Sequence, residues 1–296
     1  MTEIANWTEI IGGADARFLR RARPPQSVVP DTVILGMPHL CTNGLSEIWL
    51  LKELGHRHWF LLAEAAGQSA PDFRDENGSR VYAAFRAVSI AGGDFSAAAE
   101  NDLLSLTSRL LRVSRTQVES RHSLAIDGRS IGTVGMVSTF IRRDASGSNR
   151  SVARIAVDGL PAIGKEIHRQ RFDATTGSRI ESGAEPSLRR IADTASFTVD
   201  PCPSQDFNGA GLLYFTSFIA FVDRAEWRFD RSLALTATTI EREVIYRGNT
   251  DPGETLRVVL FDVWERQHEF GHCCRLERVA DNTVLADIRS VRRVAR

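Results

Sequence analysis

The chain delivers one structural signal twice. Asn43-Gly44 precedes an apolar stretch that runs to Trp59, and Asn208-Gly209 precedes another that ends at Trp227. Each stretch is followed by four segments of strand character, so the repeating unit is a whole supersecondary block. In a chain of 296 residues, two copies of so long a unit indicate a duplicated domain rather than a solenoid. A composition of 43% hydrophobic and 25% charged residues supplies enough apolar material for two fused cores.

Charge and cysteine usage exclude several classes. The formal net charge is zero, so nothing predicts a nucleic-acid partner or a polybasic membrane contact. Lys52 and Lys165 are the only lysines, which leaves few candidates for a Schiff base. Cys41, Cys202, Cys273 and Cys274 form no C-x-x-C pair, and no histidine stands at zinc-finger spacing, so no metal is expected. The first residues lack a signal-peptide pattern and no apolar run reaches membrane-spanning length. The expectation is a cytoplasmic protein with reduced thiols.

In the first half, 32–36 reads as a strand and 37–40 as a connector. A helix is predicted from Asn43 to Leu54, with apolar residues at Leu45, Ile48, Trp49, Leu51 and Leu54 and Gly55 as its stop. Strands are predicted at 81–90, 103–113, 117–126 and 130–142, with turns at Gly92-Gly93 and Asp127-Gly128. The second half repeats the order: a strand at 195–199, a helix from Gly209 to Phe229, and strands at 233–246, 255–265, 269–279 and 283–294. The expected division is a domain over 1–143, a connection over 144–194 with an extra packed element at 155–172, and a domain over 195–296.

One strand, a long helix and a four-stranded antiparallel meander is the order of a hot-dog fold, and two copies make a double hot-dog in the α+β class. A helix that is apolar over most of its circumference must be enclosed by a curved sheet. Pairing the edges of two such sheets also hides strands that would otherwise template aggregation.

Ser204-Gln205-Asp206-Phe207-Asn208-Gly209-Ala210-Gly211-Leu212-Leu213-Tyr214-Phe215 resembles the Asp-x-Asn-Gly-x-Gly-Leu-Leu-Tyr-Phe signature of the leinamycin-type bifunctional acyltransferase/decarboxylase family of polyketide biosynthesis. Gly36 to Leu40 and Leu45 to Gly55 look like the first-half signature of a related branch of biosynthetic proteins. The resemblance implies a double hot-dog enzyme acting on an acyl-CoA. In the typified case it decarboxylates methylmalonyl-CoA and hands propionyl to an acyl carrier protein. The implied partners are acyl-CoA and a phosphopantetheinylated acyl carrier protein, with a homodimer allowed and no cofactor beyond the CoA thioester itself.

Hot-dog enzymes use the amino-terminal end of the central helix as an electrophile, its unpaired N–H groups facing a thioester carbonyl. Gly44 and Gly209, with Gly211 close by, occupy those places, where a side chain would hold the acyl group off the backbone. Loss of carbon dioxide from a malonyl-type thioester leaves an enolate oxygen, and one good donor to such an oxygen contributes about 3 kcal/mol. The catalytic candidates are Asn208, Gly209, Asp206, His39 and Tyr214; the substrate-binding candidates are Asn43, Gly44, Gly211 and Ser217. Asn43 and Asn208 are equally good helix caps, and Asp206 can act as a base or hold its loop. His39 with Asp206 forms the alternative pair, for a thioesterase or dehydratase on carrier-bound substrates. A third alternative is a non-catalytic acyl-binding protein. A single working site is expected at 206–217, completed across the pseudo-twofold by 37–47.

Overall fold

The computed structural model describes residues 29–112, 116–144, 146–155 and 189–294. The first half runs β1 (Val29–Ile34), a 3-10 turn (Met37–His39), β2 (Leu40–Cys41), β3 (Gly44–Leu45), α1 (Glu47–Ala65), β4 (Tyr82–Ala91), a second 3-10 turn (Phe95–Ala97), β5 (Leu103–Arg112), β6 (Gln117–Ile126), β7 (Arg129–Arg143) and β8 (Val152–Arg154). The second half runs β9 (Arg189–Val199), α2 (Pro203–Asp206), α3 (Phe215–Phe229), α4 (Arg231–Thr236), β10 (Ala237–Tyr246), β11 (Leu256–Arg266), β12 (Glu269–Arg278) and β13 (Val284–Val294).

Eleven of these strands form one antiparallel sheet in the order β1-β5-β6-β7-β4-β10-β13-β12-β11-β9, with β8 attached to β7, and β2 and β3 form a separate two-stranded hairpin. Within each half the order is first, third, fourth, fifth, second, and the two halves meet where β4 pairs with β10. This is the double hot-dog expected from the repeat. The two long helices share one core: Leu50, Leu51 and Leu54 of α1 are buried with Phe218, Ile219 and Val222 of α3. A satellite cluster around Leu62, Phe73, Val118 and Phe140 covers the carboxyl end of α1.

Several boundaries differ from expectation, each for a local reason. Asn43-Gly44 does not open α1. Gly44 has φ +103 and turns the short β2–β3 hairpin, where a Cβ would sit 2.1 Å from the Phe95 carbonyl oxygen. The helix starts four residues later, with Ser46 as N-cap accepting from the Trp49 amide at 3.3 Å. Gly55 does not stop α1, which runs ten residues further. A Cβ there would lie 3.0 Å from the Phe215 ring, so the glycine marks the point where the two helices touch. Residues 233–236, expected in a strand, belong to α4, whose N-cap Asp230 accepts from the Ser232 and Leu233 amides. The expected packed element over 155–172 lies outside the described residues beyond Ile155, which packs on the satellite cluster.

Candidate functional site

Gly209 does not open α3 either. After α2, residues 207–213 form a small closed loop in which Phe207 bridges to Leu213, and α3 begins at Phe215 with Tyr214 as N-cap. Asn208 accepts from the Ala210 and Leu212 amides through Oδ1, at 3.0 and 3.1 Å, and so shapes the loop rather than capping a helix. Gly211 adopts φ +71. Three side chains clamp the loop from outside. Asn249 exchanges two hydrogen bonds with the Leu213 backbone, buried Asn149 donates to the Gly211 carbonyl at 2.7 Å, and Arg143 donates to the Ala210 carbonyl.

The clamped loop delivers a helix terminus with no side-chain cap. Among the described residues, the Phe215 and Thr216 amides have no hydrogen-bond partner. That end of α3 borders a cavity of about 520 Å³. β4 and β10 pair only over Ala87–Ile90 and Arg242–Ile245, so the first half of β4, still paired with β7 on its other edge, runs past the end of β10 and leaves a slot. Tyr82 to Arg86 form one wall and Tyr246 to Asn249 another, while Gly55, His56, His58 and Trp59 of α1 face Asn208 and Leu212 to Phe215 across it. Asn149, Arg150, Val152 and Arg154 complete the rim, and no Asp or Glu stands among the described lining residues.

The pseudo-equivalent end, at the start of α1, is filled. Arg242 is buried there and bridges Glu47 at 2.9 Å, Asp223 at 2.9 Å and Glu226 at 3.5 Å. Arg292 reaches Asp223 and Glu226, and Thr239 donates to Glu47. Burial pushes the Glu47 carboxyl up, against the pull of Arg242. At Glu226 burial acts in the same direction, but Arg292, His272 and Arg242 outweigh it and hold the carboxyl well below its ordinary value. Gly93 closes the matching slot, its amide donating to the Ile240 carbonyl at 2.8 Å. The twin helices thus end differently: α1 is capped and its end packed with charge pairs, while α3 is uncapped and open.

The candidates from sequence scatter accordingly. Asn208 and Tyr214 line the cavity; Asp206, Gly209, Gly211 and Ser217 stand beside it in the same segment but are not in its lining. The Asp206 carboxylate accepts from the Cys202 amide at 2.8 Å, and Ser217 donates its hydroxyl to the Asp206 carbonyl at 3.0 Å, so both hold the loop. Burial raises the Tyr214 hydroxyl pKa. His39 is remote in role: its Nδ1 accepts from the Gly36 amide at 2.8 Å and its ring packs on Trp49, so no His39–Asp206 pair forms. Asn43 donates to the Ala237 carbonyl at 3.2 Å, joining the two halves, and with Gly44 it lies outside the cavity. The partner segment across the pseudo-twofold is 55–59 with 82–86, not 37–47.

A buried polar chain lies against the cavity wall. His58 meets Ser138 and Ser120 at 2.7 Å each, Ser120 meets His122 at 2.8 Å, and His122 meets Ser108 at 2.8 Å. His58 is the twelfth residue of α1 and Glu226 the twelfth of α3, so the Glu226–His272 bond of 2.7 Å is its counterpart in the second half. Burial holds both His58 and His122 down to a pKa of about 3, with His122 adding to the effect on His58 and Arg57 to that on His122. The unfolded chain, with histidines near 6.5, binds protons that the folded one refuses. The stability from these two neutral rings is therefore complete above that value and drains as pH falls toward 3. From pH 6.5 to pH 5 urea unfolding should show a loss of about 3 kcal/mol for the pair. A flat profile over that range would mean that these rings are not held neutral.

Among the described residues no group of three or more His, Cys, Asp or Glu could hold a metal ion, and no helix is long and apolar enough to cross a membrane. No family model and no curated protein matches the sequence. Solved structures do match. An acyl-ACP thioesterase from Bacteroides thetaiotaomicron superimposes with a TM-score of 0.63 at 14% identity, covering 90% of this chain and 97% of that one. The 12:0-ACP thioesterase from Umbellularia californica gives 0.64 at 10% identity, with 90% and 98% covered. A protein described as an oleoyl thioesterase from Lactobacillus plantarum gives 0.65 at 10% identity, with 91% and 97% covered. At such identities the likeness speaks for the fold, and together with the strand order it makes this chain a double hot-dog protein.

Proposed function

We propose that the chain hydrolyses acyl thioesters at the amino-terminal end of α3. The carrying observation is the asymmetry of the two helix ends: among the described residues the α3 end has no side-chain cap and borders a cavity at Tyr214 and Phe215, whereas the α1 end is capped and packed with charge pairs. The thioester carbonyl oxygen lies against the Phe215 and Thr216 amides, which strengthen their hold as negative charge develops on it. Water adds to the carbonyl carbon, the tetrahedral oxyanion collapses, and the carbon–sulfur bond breaks to give a carboxylic acid and a thiol. His56, exposed on the cavity side of α1 with no described hydrogen-bond partner, takes the proton from the attacking water and returns it to the leaving sulfur. The substrates are acyl chains on CoA or on a phosphopantetheinylated carrier protein; two of the proteins that share the fold are named as acyl-carrier-protein thioesterases.

One observation favours a second reading. With no carboxylate among the described lining residues, the cavity suits a reaction that needs donors and no acidic base. Decarboxylation of a malonyl or methylmalonyl thioester is of that kind, followed by transfer to a carrier, as the Asp206 to Phe215 signature implies. Incubation with a panel of acyl-CoA and acyl-phosphopantetheine substrates separates the two. Thiol release with the free acid as product supports hydrolysis, and a decarboxylated acyl group on the carrier by intact-mass analysis supports transfer. Absence of both over the whole panel contradicts an enzymatic role. In either active case His39→Ala should leave kcat/KM within about twofold, because that ring serves its own loop. A loss of a hundredfold would restore the His39 pair.

A further inference from the structure

Two buried donors in the slot have nothing to bond. Arg86 Nε and Thr139 Oγ1 each lack a hydrogen-bond partner, and both residues line the cavity. They are neighbours. Arg86 is the extra residue where β4 slips register against β7 between Phe85 and Ala87, and Ala84 faces Thr139 across the same pair. Arg154 joins from β8, opposite Ile141 and two residues from Thr139 along β7.

Among the described residues, no acidic side chain answers these cations. Arg247 is paired with Asp287 and Arg150 with Glu254, but among the described residues neither Arg86 nor Arg154 forms an ion pair. Burial first, then the charges of Arg154 and Arg247, holds the Arg86 guanidinium below its ordinary pKa. A guanidinium kept half-buried beside another cation and an idle hydroxyl costs stability unless an anion arrives. The donor set suits an oxyanion, since a guanidinium offers a planar fork to carboxylate or phosphate.

We propose that Arg86, Thr139 and Arg154 form an oxyanion subsite that binds an anionic group carried by the thioester substrate. Substrate identity rests on the thioester reading; the anion preference does not. The group is either the phosphate of a phosphopantetheine arm or a carboxylate at the far end of the acyl chain. Both present the same oxygens to the same donors.

Calorimetric titration with 4′-phosphopantetheine, pantetheine, and succinyl- and butyryl-pantetheine analogues whose thioester sulfur is replaced by methylene tests the subsite without turnover. One charged member should bind about tenfold more tightly than its neutral partner in the native protein and less than twofold more tightly in Arg86→Gln, the gain expected of charge-assisted bonds. Thr139→Val should shrink the ratio part of the way. Preference for phosphopantetheine over pantetheine identifies a phosphate, and preference for succinyl over butyryl identifies a carboxylate. The Arg86→Gln protein should unfold at equal or higher urea, since it loses an unpaired buried charge. If it does not fold, exposed Arg154→Gln takes its place in the titration. Equal binding of charged and neutral members, an unchanged ratio in both arginine variants, or no binding of any of the four overturns the subsite. Thiol release with charge-blind binding removes the subsite alone, whereas Arg86-dependent binding without thiol release or transfer removes the enzymatic reading alone.

Discussion

Tyr214→Asp should leave the protein nearly inactive, while the new cap offsets part of the packing that the Tyr214 ring loses on Phe215 and the core. Tyr214 already has N-cap geometry, with φ −73 and ψ 140, yet its side chain makes no cap hydrogen bond. An aspartate there would accept from the first-turn amides and oppose the positive end of the helix, a combination worth about 1 kcal/mol. The same bonds occupy the donors proposed for the thioester oxygen and place a negative charge where the proposed transition state develops one. Loss of a single donor of this kind typically lowers kcat by a factor of about 100 to 1000. Urea unfolding and steady-state thiol release on one preparation measure both effects. Unchanged kcat/KM in the folded variant would show that the α3 end is an ordinary helix terminus.

Arg242→Leu should cost about 3–5 kcal/mol of folding stability, the usual price of stranding buried charges. Arg242 is fully buried and holds Glu47 and Asp223 directly, with Glu226 slightly farther off. Arg292 still serves Asp223 and Glu226 in the variant, but Glu47 keeps only the Thr239 hydroxyl. The residual stability of the variant, read from its urea midpoint, distinguishes a structural plug from a dispensable cluster. A change below about 1 kcal/mol, the scale of surface ion pairs, would mean that water reaches this end of α1.

The architecture was legible because the repeat and the strand alternation are long-range patterns that survive local errors. Each of the ten expected strands overlaps an observed one, and both expected helices overlap a long helix, with shifted ends. The helix starts were not legible, and the two Asn-Gly pairs show why. Asn is a good cap and Gly a good first-turn residue, but both are equally good turn formers. In the first half a 2.1 Å approach to the Phe95 carbonyl fixes Gly44 in a hairpin; in the second Asn208 turns its amide oxygen on its own loop. The cavity borders the expected segment 206–217 at Asn208 and Leu212 to Phe215. Across it stand 55–59 and 82–86 rather than the expected 37–47, because they enter through the early end of β4–β10 pairing, a register that sequence does not reveal. Arg143, Asn149 and Asn249 gave no signal at all, since each acts through backbone groups distant in the chain.

Duplication explains both halves of this result. Two identical halves would present two open helix ends across the pseudo-twofold. Here a charged cluster fills one end and the other carries no side-chain cap, so the two helix termini differ in access. The residues that distinguish the ends are few: Ser46 and Glu47 against Tyr214 and Phe215, with Arg242 on the central strand pair.

A crystal structure with a non-hydrolysable acyl-CoA analogue, its sulfur replaced by methylene, tests the central claim most directly. The account predicts the analogue in the slot between Tyr82–Arg86 and Tyr246–Asn249, with its carbonyl oxygen accepting from the Phe215 or Thr216 amide. An analogue seated at the Glu47–Arg242 end instead, or bound with its carbonyl turned away from α3, would contradict it.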